Sequence, residues 1–149
     1  MATLPLKRIL VPIDFSKHSK NALKYAVPFA KQFGAELLLV YVVEPTIYPA
    51  DFTFGQVGIP NFENELRERG QHELERLVKE EVGKHVPANV VVCTGKPAFE
   101  IIKLAEEKKV DLIIIATHGH TGVEHMLFGG TTEKVVRRAH CPVLIVRPR

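Results

Sequence analysis

The sequence predicts a single α/β domain built on an open, five-stranded parallel sheet with helices on both faces. Three observations predict it. Short apolar runs alternate strictly with helical periods along the whole chain. The runs are continuous rather than alternating apolar with polar, the pattern of strands covered on both faces. The chain has 149 residues, 46% hydrophobic and 25% charged, the size and composition of one ordinary domain. Right-handed crossovers between parallel strands leave few topologies.

Each element has its own signal. Residues 8–13 are a short run rich in branched side chains, read as the first strand. Residues 16–33 carry Ala22, Leu23, Ala26, Ala30 and Phe33 at helical spacing, and Gly34 supplies a helix stop. Residues 37–43 are the second strand. Phe62, Leu66, Leu74, Leu77, Val78 and Val82 form the next helical stripe. Residues 90–93 are a strand. Pro97 opens a helix marked by Ala98, Ile101, Ile102 and Ala105, since proline suits a first turn. Residues 112–116 are the fourth strand, 131–139 a short helix and 143–146 the last strand. The domain is expected to occupy residues 1–149.

Composition excludes several classes. The apolar content is too high for a disordered chain, and two cysteines cannot make a disulfide scaffold. Cys93 and Cys141 lie far apart and read as structural thiols of a reducing compartment. The longest apolar run, 37–43, is far short of the roughly 18–20 residues of a membrane span. The first eight residues lack a signal-peptide core. A soluble, cytoplasmic protein is therefore expected. A net charge of +3 is too weak to argue for nucleic acid. Lys134, Arg137, Arg138, Arg147 and Arg149 cluster near the last strand, where they read as solubilising an edge.

Two connections stand out. Residues 44–60 carry three prolines, two glycines, Tyr48, Phe52 and Phe54. A connection of that length is either functional, as a lid or partner contact, or plainly mobile. The second lies between the fourth strand and the fourth helix, where Gly119, Gly122, Gly129 and Gly130 concentrate four of the ten glycines. Glycine admits a close backbone approach, and a helix N-terminus offers unpaired N–H groups and the positive end of a dipole. The loop thus reads either as a phosphate cradle or as a surface loop with a threonine cap. It matches neither a Walker A sequence nor the dinucleotide fingerprint.

Asp14 closes the first strand at the same sheet edge. It could accept hydrogen bonds from an adenine amine or ribose hydroxyls, or it could be an Asx-turn residue. Ser16 and Ser19 read as helix caps, because no His–Asp pair is placed to activate them. His118, His120 and His125 share one loop, but no Cys or carboxylate stands at recognised ligand spacing beside them. No metal site and no catalytic base is expected.

These residues resemble the universal stress protein family along nearly the whole chain. The resemblance rests on Arg8-Ile-Leu-Val-Pro-Ile-Asp14-Phe-Ser16, on Asp111-Leu-Ile-Ile-Ile-Ala-Thr-His-Gly119-His-Thr-Gly122, on residues 129–136 and on Cys141-Pro142-Val-Leu-Ile-Val146. It implies a Rossmann-like fold with strand order 3-2-1-4-5. It also implies a role in stress response, and ATP or a related adenine nucleotide, with Mg2+, as ligand. A homodimer is a separate expectation: the last strand, Val143, Leu144, Ile145 and Val146, is apolar and would lie at a sheet edge, which pairing with a second copy would cover. Pro12, Ile13, Asp14, Val42 and Ile115 would frame adenosine. Gly119, Gly129, Gly130, Thr131 and Thr132 would hold phosphates. The family's glycine pattern runs here through Ala116, Gly119, Gly129 and Gly130, so Ala116 replaces the first glycine and Gly130 the hydroxyl residue. Those departures keep open a nucleotide-free member acting as a dimeric interaction module. A nucleotidyltransferase of similar fold is a third reading. His118-Gly119-His120 is similar to its signature, which normally follows the first strand rather than the fourth.

Overall fold

The computed structural model of the chain describes residues 4–45, 59–117 and 130–148. Its elements are β1 (Arg8–Pro12), α1 (Lys17–Phe33), β2 (Glu36–Val43), α2 (Ile59–Leu77), β3 (Ala88–Thr94), α3 (Pro97–Glu107), β4 (Leu112–Ala116), α4 (Gly130–Arg138) and β5 (Val143–Val146). The five strands form one parallel sheet in the order β3-β2-β1-β4-β5. Both the alternation and the implied order are found. No helix among the described residues is long and apolar enough to cross a membrane.

The central strands β1, β2 and β4 have apolar, buried interiors because helices cover both faces of the sheet there. Ile9, Val11, Leu37, Leu39 and Ile114 point to one face and pack on Ala22, Leu23, Ala26 and Ala30 of α1 and Leu74 of α2. Leu10, Leu38, Val40, Ile113 and Ile115 point to the other, onto Ala98, Ile101, Leu104 and Ala105 of α3 and Val135 of α4. The small alanines let α1 approach β1 and β4 closely. Beneath the sheet, Asp111 Oδ2 accepts the Lys7 and Arg8 N–H groups at 2.8 and 3.0 Å, locking the entry of β1 to that of β4.

Boundaries differ from the sequence reading where polar ends continue an apolar core. β3 extends over seven residues because Ala88 pairs with Leu37 and Thr94 with Val43, although Asn89 is exposed. Arg67 of α2 lies over this outer strand, donating to Thr94 Oγ1 at 2.7 Å and to the Val92 carbonyl at 3.5 Å. α2 starts at Ile59, so Pro60 sits in a helical first turn rather than in the connection. Residues 46–58, which carry the lid expectation, lie outside the described residues. The stripe at Val78 and Val82 is not α-helical. Residues Val78–Val82 close in a π-helical turn, with Gly83 N–H donating to the Val78 carbonyl at 2.8 Å. The extra residue in that turn keeps Leu77 and Val82 both buried. α4 begins at Gly130, one residue early, and ends at Arg138. β5 lies at the other edge, with Val146 buried and Val143, Leu144 and Ile145 half-buried.

Gly34 ends α1 with φ at 66°, and its N–H donates to the Ala30 carbonyl. A Cβ there meets nothing within 4 Å, so the residue is required by conformation and not by space. Gly34→Ala is therefore expected to lower stability by about 1–2 kcal/mol, read as a shift in urea midpoint at constant slope.

Candidate functional site

The strand order reverses between β1 and β4, which run in parallel from the centre of the sheet. Helices leave such a reversal on opposite faces, so a crevice opens at the carboxyl ends of the strands. A cavity of about 560 Å³ occupies that position. Its size is that of a small-molecule site, which typically spans roughly 300–1,000 Å³. Nine of the eleven residues predicted for a ligand line it: Pro12, Ile13, Asp14, Val42, Ile115, Ala116, Gly130, Thr131 and Thr132. Gly119 and Gly129 lie outside the described residues.

The turn after β1 is built by side chains. Asp14 Oδ1 accepts the Ser16 N–H at 2.9 Å, an Asx-turn. Ser16 is the N-cap of α1, its Oγ accepting the Ser19 N–H at 3.1 Å. Ser19 Oγ donates to the Ser16 carbonyl at 3.1 Å and accepts the Asp14 N–H at 3.3 Å. The Asx-turn reading of Asp14 holds, and the same residue lines the cavity. Ser16 is the cap, as expected, whereas Ser19 is the third residue of α1 and its hydroxyl bonds back to the turn. Between Asp14 and Ser16, Phe15 takes φ at 63°.

The opposite wall is the first turn of α4. The N–H groups of that turn have no intrahelical acceptor. Thr132 is buried, and its hydroxyl donates to the Ala116 carbonyl at 2.7 Å. That proton ties α4 to β4, so what Thr132 presents to a ligand is its backbone N–H. Gly130 is exposed, with open space where a Cβ would stand. Thr117, just beyond β4, is buried, and its Oγ1 has no partner among the described residues.

Ser19, Tyr41, Glu44, Leu66, Pro97 and Ile101 also line the cavity and were not predicted for it. Leu66 and Ile101 read as core positions of their helices, and Pro97 as a helix opener. Their signal is positional: each lies near the carboxyl edge of the sheet. Asp14 and Glu44 bring two carboxylates to the lining, and no Lys or Arg lines it among the described residues. Burial raises the Tyr41 phenol above its ordinary pKa, and the nearby charges of Asp14 and Glu44 raise it further. Cys93 and Cys141 are unpaired thiols whose pKa burial also raises, which suits structural residues rather than nucleophiles. Among the described residues no group of His, Cys, Asp and Glu is gathered for a metal ion. His118, His120 and His125 lie outside them.

A doubly wound parallel sheet with a crevice at its switch point defines the class of this α/β domain. Comparison with known proteins narrows this class: the universal stress protein family profile matches residues 5–147, and the chain belongs to that family. It is 38% identical over 144 residues to universal stress protein MJ0531 of Methanocaldococcus jannaschii, covering 95% of this chain and 82% of that one. The structure of hypothetical protein MJ0577 from the same organism is similar with a TM-score of 0.83 at 29% identity, covering 97% of this chain and 98% of that one. A universal stress protein family protein of Arabidopsis thaliana, solved with AMP bound, shares the fold at a TM-score of 0.63 and 18% identity. That match covers 96% of this chain and 92% of the other.

The raised Tyr41 phenol has a consequence for alkaline stability. The folded chain holds this proton more tightly than the unfolded chain does. Stability is therefore lost as pH rises through the ordinary phenol range and on to the raised value. Urea midpoints measured from neutral to alkaline pH should fall less steeply for Tyr41→Phe than for the parent chain.

Proposed function

We propose that this universal stress protein binds ATP or a related adenine nucleotide in the crevice at the carboxyl edge of the sheet. In this reading it is a cytoplasmic homodimer. Its role is regulatory in stress response, coupling nucleotide state to a protein partner, with hydrolysis slow at most. The observation that carries the reading is the convergence of nine predicted residues on one cavity of about 560 Å³. That a protein of the same fold was solved with AMP bound supports it.

The nucleoside end belongs near Pro12, Ile13, Asp14, Val42 and Ile115, where Asp14 and Glu44 would repel phosphate and accept from donors. The phosphates belong at the first turn of α4, where Gly130, Thr131 and Thr132 offer backbone N–H groups and the helix dipole. Gly119 and Gly129 belong there by resemblance. No Lys or Arg occurs in residues 118–129 either. The charge of a triphosphate is thus left to amides, the dipole and Mg2+. Ala116 at the first position of the glycine pattern fits, since it stands inside regular β4 and is buried.

The dimer is proposed through β5. Its apolar residues Val143, Leu144 and Ile145 are only half-buried at an open sheet edge, which pairing with a second copy would cover.

Equilibrium dialysis with labelled ATP tests the ligand. Binding at millimolar nucleotide with magnesium is expected, and it should weaken sharply when EDTA removes the metal. No binding under the first condition overturns the reading. Gly130→Ser fits the open space and adds one donor, so it should tighten ATP binding by about 0.5–1.5 kcal/mol. Light scattering at tens of micromolar should return twice the chain mass, and a monomer would exclude the β5 pairing.

A further inference from the structure

We propose that Phe15 is a positioning residue: its ring, seated on Tyr41, holds the left-handed turn that fixes the Asp14 carboxylate at the cavity wall. The inference rests on the proposed nucleotide reading and deepens it.

Phe15 has φ at 63°, a conformation that bulky L-residues avoid. Such backbone persists only where its surroundings over-determine it, and it gathers at ligand clamps. Here the surroundings are identifiable. The Asp14 carboxylate accepts the Ser16 N–H across the strained residue at 2.9 Å. The Phe15 ring lies 4.8 Å from the Tyr41 ring, centroid to centroid, tilted at 52°. Phe15 packs against the core and does not line the cavity, whereas Asp14 does. Its influence on a ligand therefore passes through its neighbours: Tyr41, which also lines the cavity, and the Asp14 turn bonded across Phe15, which the proposal assigns and the Ser16 amide reads.

The seat under Tyr41 is itself built. Gly70 is buried in the middle of α2, where glycine weakens a helix. A Cβ at Gly70 would stand 2.5 Å from Tyr41 Cδ1 and 2.9 Å from Cε1. The helix thus gives up a side chain to admit the tyrosine ring. Gly70, Tyr41, Phe15 and Asp14 form one line of contact from α2 to the cavity. A methyl group at Gly70 should then disturb Asp14 although Gly70 touches no ligand.

Two readouts on the full chain test this: calorimetric titration with AMP and with magnesium ATP, and the amide proton shift of Ser16 by NMR. Phe15→Ala should weaken nucleotide binding by about tenfold and erase the downfield shift that the Asp14 hydrogen bond gives Ser16. Phe15→Tyr keeps the ring and should retain both. Gly70→Ala should displace the Ser16 signal in the same direction as Phe15→Ala. Phe15→Gly removes the strain together with the ring. It should fold at least as stably as Phe15→Ala yet bind no more tightly, which separates positioning from stability. The double variant Asp14→Asn/Phe15→Ala should bind no worse than Asp14→Asn alone, because the two act in series. Additive losses in that cycle, or an unchanged Ser16 amide in Phe15→Ala, overturn the proposal. If the parent chain binds neither nucleotide, the proposed function falls, and the Ser16 amide alone decides the positioning role.

Discussion

Parallel pairing of β1 with both β2 and β4 is the interaction on which the rest depends. Ile9 and Leu10 register with Leu37 and Leu38 on one side and with Leu112 and Ile113 on the other. Because every strand runs the same way, every connecting helix must return on a face, and every helix N-terminus arrives at one edge. The crossovers on the β2 side place α1 and α2 together on one face. Those on the β4 side place α3 and α4 on the other. The crevice is what remains between the two sets. Asp14 and Thr132 come from opposite halves of the chain, and this pairing alone brings them to one cavity.

The buried strands explain both the stability and the silence of the scaffold. Ile9, Leu10 and Val11 expose no surface, so β1 cannot shift without opening both hydrophobic layers. Deformation is left to the edge where the connections enter. There the structure uses short polar bonds instead of packing. Asp14, Ser16 and Ser19 knit the α1 entry, and the Thr132 hydroxyl pins the α4 entry to Ala116. These bonds are local and individually modest, roughly 0.5–1.5 kcal/mol net. The two walls of the crevice are therefore stiff but not immovable.

Much of this was legible in the amino-acid order. Fully apolar runs such as residues 112–116 announce strands covered on both faces, and Ser16 and Gly34 announce the ends of α1. The walls of the crevice were legible because Asp14 and Gly130 each sit one step beyond a periodic element of the sequence. What could not be read was tertiary in origin. Asn89 and Thr94 look like loop residues, and only the ladder with β2 makes them strand. Val78 continues a helical period that gives way to a π turn, because the extra residue serves burial and leaves no mark on spacing. Gly70 reads as a weak point in α2 until the Tyr41 ring is placed beside it. Phe15 reads as an ordinary apolar residue, since no local pattern signals a positive φ at phenylalanine.

The two margins of the sheet are unlike. Over β3, the Arg67 guanidinium donates to the Thr94 hydroxyl and reaches the Val92 carbonyl, which sets a charged side chain at that margin. At the other margin β5 leaves Val143, Leu144 and Ile145 half-buried. A sheet with one guarded margin has a strand-pairing valence of one. In the proposed dimer, two copies joined at β5 would leave only guarded margins outside, and the extended sheet would stop at ten strands. Growth into a fibre needs two open margins on each chain, and Arg67 removes one of them.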